Sequence, residues 1–401
     1  MDGQRFSILG RVWSDQDPQW QQVLASVHDT AERPRCLCVP GGVEMYVAQH
    51  RQLVVKRMPD TGSRHHPVCP SYEPSAQDSG LGELLGEAVI ESESGLVELR
   101  VAFPWARTSG RDPMRGQAEP AADVVVEKRR MSLRALMHYL FERAGFNRWT
   151  PAMEGRRNQG VLRKYLLDAA TGVSVKGLPL VERLYVPEPF SEATRTEAAE
   201  RRRRKFAVLR PVEGCHPLAL VMGEYKGCEL AAGGRRVWIR HMPDAPLLVS
   251  DTAWRRMERV YAPLLQASDA DTGHRVRLML AALVRARREY TCEIDAASMM
   301  LCSADWIPLE GVHEVPLVQA LIAQRRRFVK PLRYDARSAS FANALLLDMG
   351  AAPVPLHLRS SFLGRADRLA KDRSIGAAGD VAWVWDGSPP MPALPTVAAV
   401  P

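Results

Sequence analysis

Apolar residues recur at helical spacing in several stretches of this 401-residue chain and alternate in others. Trp20, Val23, Leu24 and Val27 share one helical face, which predicts a helix over 18–29 with Asp17 as N-cap and Pro18 in the first turn. Leu133, Leu136, Met137, Leu140 and Ala144 form a single stripe and predict a helix over 132–144. Val161, Leu162, Tyr165, Leu166 and Ala169 predict a second from Gln159 to Ala170, stopped by Gly172. A charged, helix-like stretch begins near Ser191. Behind Asp251 the spacing of Trp254, Met257, Tyr261, Leu264 and Leu265 predicts a helix over Thr252–Gln266. Asp295–Leu301 and Glu314–Arg326 read as two more helices.

Alternation marks the strands. Val43, Met45 and Val47, followed by Leu53–Val55, read as a β-hairpin with His50 and Arg51 between the strands and glycines at 41, 42 and 62 turning its ends. Ala88–Ile90 and Leu96–Phe103 form a second hairpin around Ser94-Gly95. Phe206–Leu209, Leu218–Met222, Val237–His241 and Leu247–Val249 read as a β-meander over 206–250, with Gly233 at a tight turn. Residues 275–287 suit a strand and a helix equally. Phe328–Tyr334, Ala344–Asp348 and Val354–Leu358 complete the strands. The pattern predicts a multidomain α+β chain. Residues 1–75 hold the first helix and a zinc-knuckle-like hairpin, and 76–123 an acidic hairpin and linker, flexible over 107–122. A basic helical hairpin follows over 124–190, then an α+β domain over 191–386 and a disordered tail over 387–401.

Charge sharpens this division. The chain carries a formal +8. Residues 71–123 hold ten acids against four arginines, a net of −6, whereas 128–164 hold ten bases against two acids, a net of +8. The asymmetry points to an anionic partner beside the second block, with nucleic acid the first candidate and a solvated basic face the plain alternative. No apolar run approaches the ~18 residues of a membrane span and the start lacks an apolar signal core, so a cytoplasmic protein with no membrane partner is expected.

The seven cysteines are odd in number and scattered, which argues against a disulfide framework. Three of them fall with three histidines inside RPRCLCVPGGVEMYVAQHRQLVVKRMPDTGSRHHPVCPSYEP. Cys36 and Cys38 stand on one side of the hairpin, and His65, His66 and Cys69 on the other. Thiolate and imidazole suit zinc, and four such ligands close a structural tetrahedron. His65 and His66 compete for the third place, and the spacing to Cys69 favours His65. The plain alternative is a pair of buried thiols beside an exposed histidine pair. Lys56, Arg57 and Arg64 surround the hairpin and are candidate phosphate contacts.

Two further motifs carry chemistry. The two helices near 132–170 resemble a helix-turn-helix, in which Arg156, Arg157, Arg163 and Lys164 would face phosphate; an ordinary helical hairpin is the alternative. Glu224 and Lys226 lie two apart on an expected strand, and an E-x-K pair holds Mg²⁺ in nucleases of the restriction-enzyme fold. The upstream acid that such a site needs is poorly replaced by Pro187-Glu188, and a cross-strand ion pair is the bland reading. Phosphate-binding, dinucleotide and HExxH motifs are absent.

RPRCLCVPGGVEMYVA, LRALMHYLFERAGFNRW, LVMGEYKG, VWIRHMPDAPLLVSD and RRRFVKPLRYD together resemble an uncharacterised bacterial family, domain of unknown function 1173. The resemblance runs over nearly the whole chain in order. It implies a protein often carried with integrative conjugative elements and plasmids, and a single histidine four before the last cysteine, which is His65. The combined expectation is an accessory, nucleic-acid-associated protein with a structural zinc. A Mg²⁺-dependent nuclease using Glu224 and Lys226, and a protein–protein adaptor, are the alternatives.

Overall fold

The computed structural model describes residues 3–49, 52–92, 95–108, 129–271, 273, 275–288, 291–336, 340–361 and 363–397. The chain divides into two compact units, one of Met1–Gly82, Arg326–Pro331 and Ser340–Pro401, the other of Glu83–Arg325 and Leu332–Ala339.

The first unit opens with β1 (Arg5–Ile8) and β2 (Arg11–Ser14), then α1 (Trp20–Val27), β3 (Arg35–Cys36), β4 (Val43–Gln49) and β5 (Leu53–Arg57). Their strands make an antiparallel sheet in the order β2-β1-β3-β4-β5. The expected hairpin is β4 and β5, registered from Met45 opposite Arg57 to Gln49 opposite Leu53; His50 and Arg51 lie outside the described residues. Helix α1 spans its apolar stripe but starts later than the expected Asp17 cap and Pro18 suggest. The Asp17 carboxylate accepts the Ser14 backbone N–H at 2.6 Å, so it closes the turn after β2 and leaves the helix without a side-chain cap.

In the second unit the hairpin near 90 pairs Val89–Glu91 with Val97–Leu99. Of the linker expected over 107–122, Arg107 and Thr108 belong to a strand, Ala106–Thr108, paired with Cys215–Pro217, and the rest lies outside the described residues. Helix α2 (Leu133–Arg143) is capped by the Ser132 hydroxyl and α3 (Gln159–Ala170) by the Asn158 side chain. Helix α2 is buried on almost every side, from Leu133 through Phe141 except Arg134, as befits a helix packed both on α3 and on a sheet. The connection from α2 to α3 holds a short extended stretch and a 3₁₀ turn, so the pair is no helix-turn-helix, whose turn is about 3–4 residues. Helix α4 (Arg195–Phe206) runs on into a 3₁₀ turn, Ala207–Leu209, where a strand was expected.

The heart of this unit is a closed ring of strands. β6 (Ala219–Ala231), β7 (Gly234–Ile239) and β8 (Leu247–Val249) are the expected meander; α5 (Asp251–Ala270) follows, then β9 (Val276–Arg288) and β10 (Thr291–Ser303). β6 pairs with β9 from Ala219 to Glu224 and with β7 from Tyr225 to Ala231, changing partner at a bulge between Tyr225 and Gly227. β7 pairs antiparallel with β8, β8 parallel with β10, and β10 antiparallel with β9, which returns to β6. At the turn between β6 and β7, Gly234 has φ +156°, and a Cβ there would lie 2.4 Å from the Val249 carbonyl. Val221, Val237, Ile239, Leu247, Leu280, Val284 and Ile294 fill the inside, together with Trp254, Met257 and Leu265 of α5. Asp295–Leu301, expected as a helix, lies within β10. Met299–Ser303 and Leu278–Val284 are buried on both faces because α2 packs against these strands, and an uninterrupted apolar run hides its period.

After α6 (Val315–Ala323) the chain returns to the first unit as β11 (Phe328–Val329), β12 (Ala344–Leu346), β13 (Val354–Leu358), α7 (Arg365–Ala378) and β14 (Trp383–Trp385). Val329, Leu345 and Leu347 pack with Phe6, Leu24, Val27 and Met45 in one core. The tail expected to be disordered from 387 is held down as far as it is described. The Arg326 guanidinium, clamped on Asp348 at 2.8 and 3.0 Å, donates to the Pro395 carbonyl, Trp383 Nε1 donates to Ala393, and Leu394 is buried.

Helix α2 is gripped by the segment 332–336. Tyr334 donates its hydroxyl to Glu142 at 2.7 Å and its backbone N–H to His138 Nδ1 at 3.0 Å; Asp335 accepts from the Ser132 backbone and hydroxyl. Burial pushes the Glu142 carboxyl up to about 7, against the pull of the Tyr334 hydrogen bond. Burial, helped by the Arg134 charge, pulls His138 down to about 3. A raised carboxyl binds its proton more tightly folded than unfolded, so it takes stability away as pH rises from about 4.3 to about 7. The lowered histidine adds stability as pH rises toward about 6.5, so the two slopes oppose each other. Glu142→Gln keeps an acceptor for Tyr334 and cannot ionise. Thermal melts should show its stability relative to the parent growing from near zero at about pH 4.5 to a plateau above about pH 7.5. A pH-independent difference would rule this out.

Candidate metal centre

Cys36 leaves β3 and Cys38 follows in a loop whose return needs left-handed backbone at both Gly41 and Gly42, φ +78° and +66°. Gly42 N–H closes this loop on the Val39 carbonyl at 3.0 Å. His65 and Cys69 come from a second loop after a 3₁₀ turn, Gly62–Arg64, in which Cys69 N–H bonds the His66 carbonyl at 2.8 Å. A Cβ on Gly62 would lie 2.6 Å from Glu73, so only glycine lets the loop fold back this closely.

The two loops bring Cys36, Cys38, His65 and Cys69 together with all four ligand atoms within 4.8 Å of one another, a group that can hold a metal ion. Cys36 Sγ lies 3.7 Å from Cys69 Sγ; His65 Nδ1 lies 3.3 Å from Cys38 Sγ and 3.8 Å from Cys69 Sγ. His66 is turned aside, and its Nδ1 accepts the Val68 N–H. The sulfurs are ringed by N–H donors: Gln4 Nε2 reaches Cys36 at 3.1 Å and Cys69 at 3.5 Å, Ser71 N–H reaches Cys69 and His66 N–H reaches Cys38, each at 3.4 Å. Such donors stabilise thiolate. Hydrogen bonding from Cys69 draws the Cys36 thiol down to about 5, with Gln4 adding to the effect, and the same bond holds Cys69 protonated. Gln4 carries no sequence signal, since it becomes a donor only through pairing of β1 with β3.

The residues expected to meet nucleic acid separate. Lys56, Arg64, Arg156 and Lys164 have exposed side chains. Arg57 is paired with Glu73, and Arg163 with Glu188 at 3.3 Å. Arg157 turns inward instead of facing phosphate. It donates to the carbonyls of Gly145, Phe146, Arg148 and Asp305 and lies over the Phe146 and Trp149 rings, and burial pulls it down to about 10. Sequence shows the charge of an arginine but not a ring of carbonyls closing around it.

Glu224 and Lys226 do not form a metal pair. The β6 bulge breaks their alternation, leaving Glu224 buried at 5% exposure and Lys226 exposed. The Glu224 carboxylate is held by Arg240 at 3.0 Å and Arg277 at 3.1 Å, the bland ion-pair reading, with both oxygens occupied. Among the described residues the Cys/His group is the one cluster of at least three metal-capable side chains.

Removing the Arg157 guanidinium leaves several buried carbonyls unpaired, at about 1–3 kcal/mol each. Arg157→Met should lower the melting midpoint by roughly 5 °C or more, and Arg157→Lys should recover little of it, since one ammonium cannot span the fork. An unchanged midpoint in calorimetry would refute this role.

No curated protein and no solved structure matches the chain. Residues 6–388 match the family model described as protein of unknown function (DUF1173), the family suggested by the resemblance of its segments. With nearly its full length covered by that match, the chain belongs to the DUF1173 family.

Proposed function

We propose that this chain is an accessory, non-enzymatic nucleic-acid-associated protein whose first unit is clipped by a structural zinc. The observation that carries the zinc is the spacing of the four ligand atoms. Zinc bound at about 2.3 Å to sulfur and about 2.0–2.1 Å to nitrogen sets tetrahedral S···S separations near 3.8 Å and S···N separations near 3.6 Å. The separations of 3.7, 3.3 and 3.8 Å lie close to these before any metal draws the ligands in. Three cysteines and a histidine leave no position open for water, so the ion's role is to tie two loops together.

Nucleic acid as partner rests on the net +8 and on the exposed cations Lys56, Arg64, Arg156 and Lys164. A cytoplasmic setting and carriage on a bacterial mobile element rest on the cysteine usage and the family resemblance.

Two measurements test this reading. Protein purified under reducing conditions should contain about one zinc per chain. Cys36→Ser, Cys69→Ser and His65→Ala should lose it, and His66→Ala should keep it; less than about half an equivalent in the parent protein would end the zinc assignment. Binding to DNA or RNA should weaken roughly 50- to 150-fold between about 50 and 200 mM salt if about four phosphates are neutralised. A flat response, or no binding, would remove the nucleic-acid reading.

A further inference from the structure

Among the described residues, the strand ring of the second unit has one face on which burial alternates along the strands. β9 is buried on both sides over Leu278–Val284 and β10 over Met299–Ser303, whereas β7 reads buried, half-buried, exposed, buried, half-buried, buried, and β8 alternates likewise. The inward members, Val237, Ile239, Leu247 and Val249, belong to the core. The outward members are Arg236, Trp238 and Leu248, with Arg240 continuing the row just past β7.

Trp238 is the unusual member. Its side chain is half-buried on the outward face and makes no ring contact or hydrogen bond among the described residues. The residue opposite it on β6 is Gly227, and a Cβ placed there would meet nothing within 4 Å. One side of the indole therefore opens onto free space. Cations flank it: Lys226 in the bulge, Arg236 and Arg240 on either side, and Arg285 with Arg287 outward on β9. The acids on this face are Glu229, 3.5 Å from Arg236, and Glu293, 3.4 Å from Arg285. The Glu229–Arg236 pair is solvent-exposed, and such a pair holds weakly enough to yield to a phosphate, whereas the Glu293–Arg285 pair is half-buried. Arg240 uses its Nε on Glu224 and keeps the rest of a guanidinium that is 48% exposed.

The ring also has a recognisable topology. Five strands in the order β6-β7-β8-β10-β9, closed back on β6, with β8 parallel to β10 and a helix between β8 and β9, is the connectivity of the OB-fold. In that architecture the second and third strands form the usual face for oligonucleotides, and here those are β7 and β8. Topology alone assigns no function; the aromatic platform and its cations are what give this face a ligand.

We infer that the outward face of β7 and β8 binds single-stranded nucleic acid, one base stacking on Trp238 above Gly227 while Lys226, Arg236, Arg240, Arg285 and Arg287 take the flanking phosphates. This inference rests on the nucleic-acid reading above and gives it a site and a strandedness. A stacked base accounts for the unpartnered ring, and a duplex, whose bases are already stacked, gains nothing from it.

Fluorescence anisotropy of the full chain with a labelled oligothymidylate of about 15 nucleotides tests it. Trp238→Ala should weaken binding roughly 5- to 100-fold, Trp238→Phe should recover most of it, and Arg236→Glu should weaken binding and flatten its salt dependence. Both positions are on the outward face, and a melting curve on each variant checks the fold. Binding by the parent protein with Trp238→Ala and Arg236→Glu each within about twofold of it would overturn this site and leave the nucleic-acid reading standing. Tighter binding of a duplex than of the single strand would also overturn it. No binding of any nucleic acid by the parent would remove both.

Discussion

One strand serving two neighbours is the constraint on which the second unit depends. β6 gives its first half to β9 and its second half to β7, and the ring closes only because the strand bends at the bulge between Tyr225 and Gly227. The bend turns the inward side chains of five strands toward one core and puts Glu224 where Arg240 and Arg277 can both reach it. It also places a residue without a side chain opposite Trp238. Core, ion-pair knot and open face follow from one local irregularity.

A second theme is where the arginines go. The charge pattern suggested a surface for anions. Much of the cationic side-chain inventory is nevertheless internal fastening: Arg157 in a nest of carbonyls, Arg202 buried against Asp244, Arg201 forked on Glu188, Arg107 on Asp295, and Arg326 on Asp348. A guanidinium suits this role because it stays charged when partly desolvated and offers several donors in a fixed plane. Five consecutive bases at Arg201–Lys205 therefore do not make a free basic patch, since helix α4 points them in different directions and Lys205 reaches the Val181 carbonyl.

The Cys/His cluster was legible in sequence because its information lies in residue type and spacing; a C-x-C and an H-x₃-C at the two ends of one hairpin need no long-range knowledge. Helices with one wet face, such as α3 and α5, were equally legible. The ring was not. Leu278–Val284 of β9 and Met299–Ser303 of β10 are covered on both sides, so period two disappears there, and the bulge in β6 has no signature beyond one glycine. The E-x-K motif failed for the same reason, because the face a strand residue occupies depends on every irregularity before it. Trp238 carries no sequence signal, because its surroundings depend on Gly227 standing opposite it.

The first unit is assembled from the two ends of the chain, its core joining Phe6 and Leu24 to Val329 and Leu347. During synthesis the second unit is therefore complete while half of the first has yet to leave the ribosome. In that interval Phe6, Leu24, Val27 and Met45 lack the strands that cover them. The four ligands, by contrast, are all present once residue 69 has emerged. A metal ion taken up by that group would tie its two loops together about 260 residues of translation before Val329 is made, ahead of the strands that complete the core.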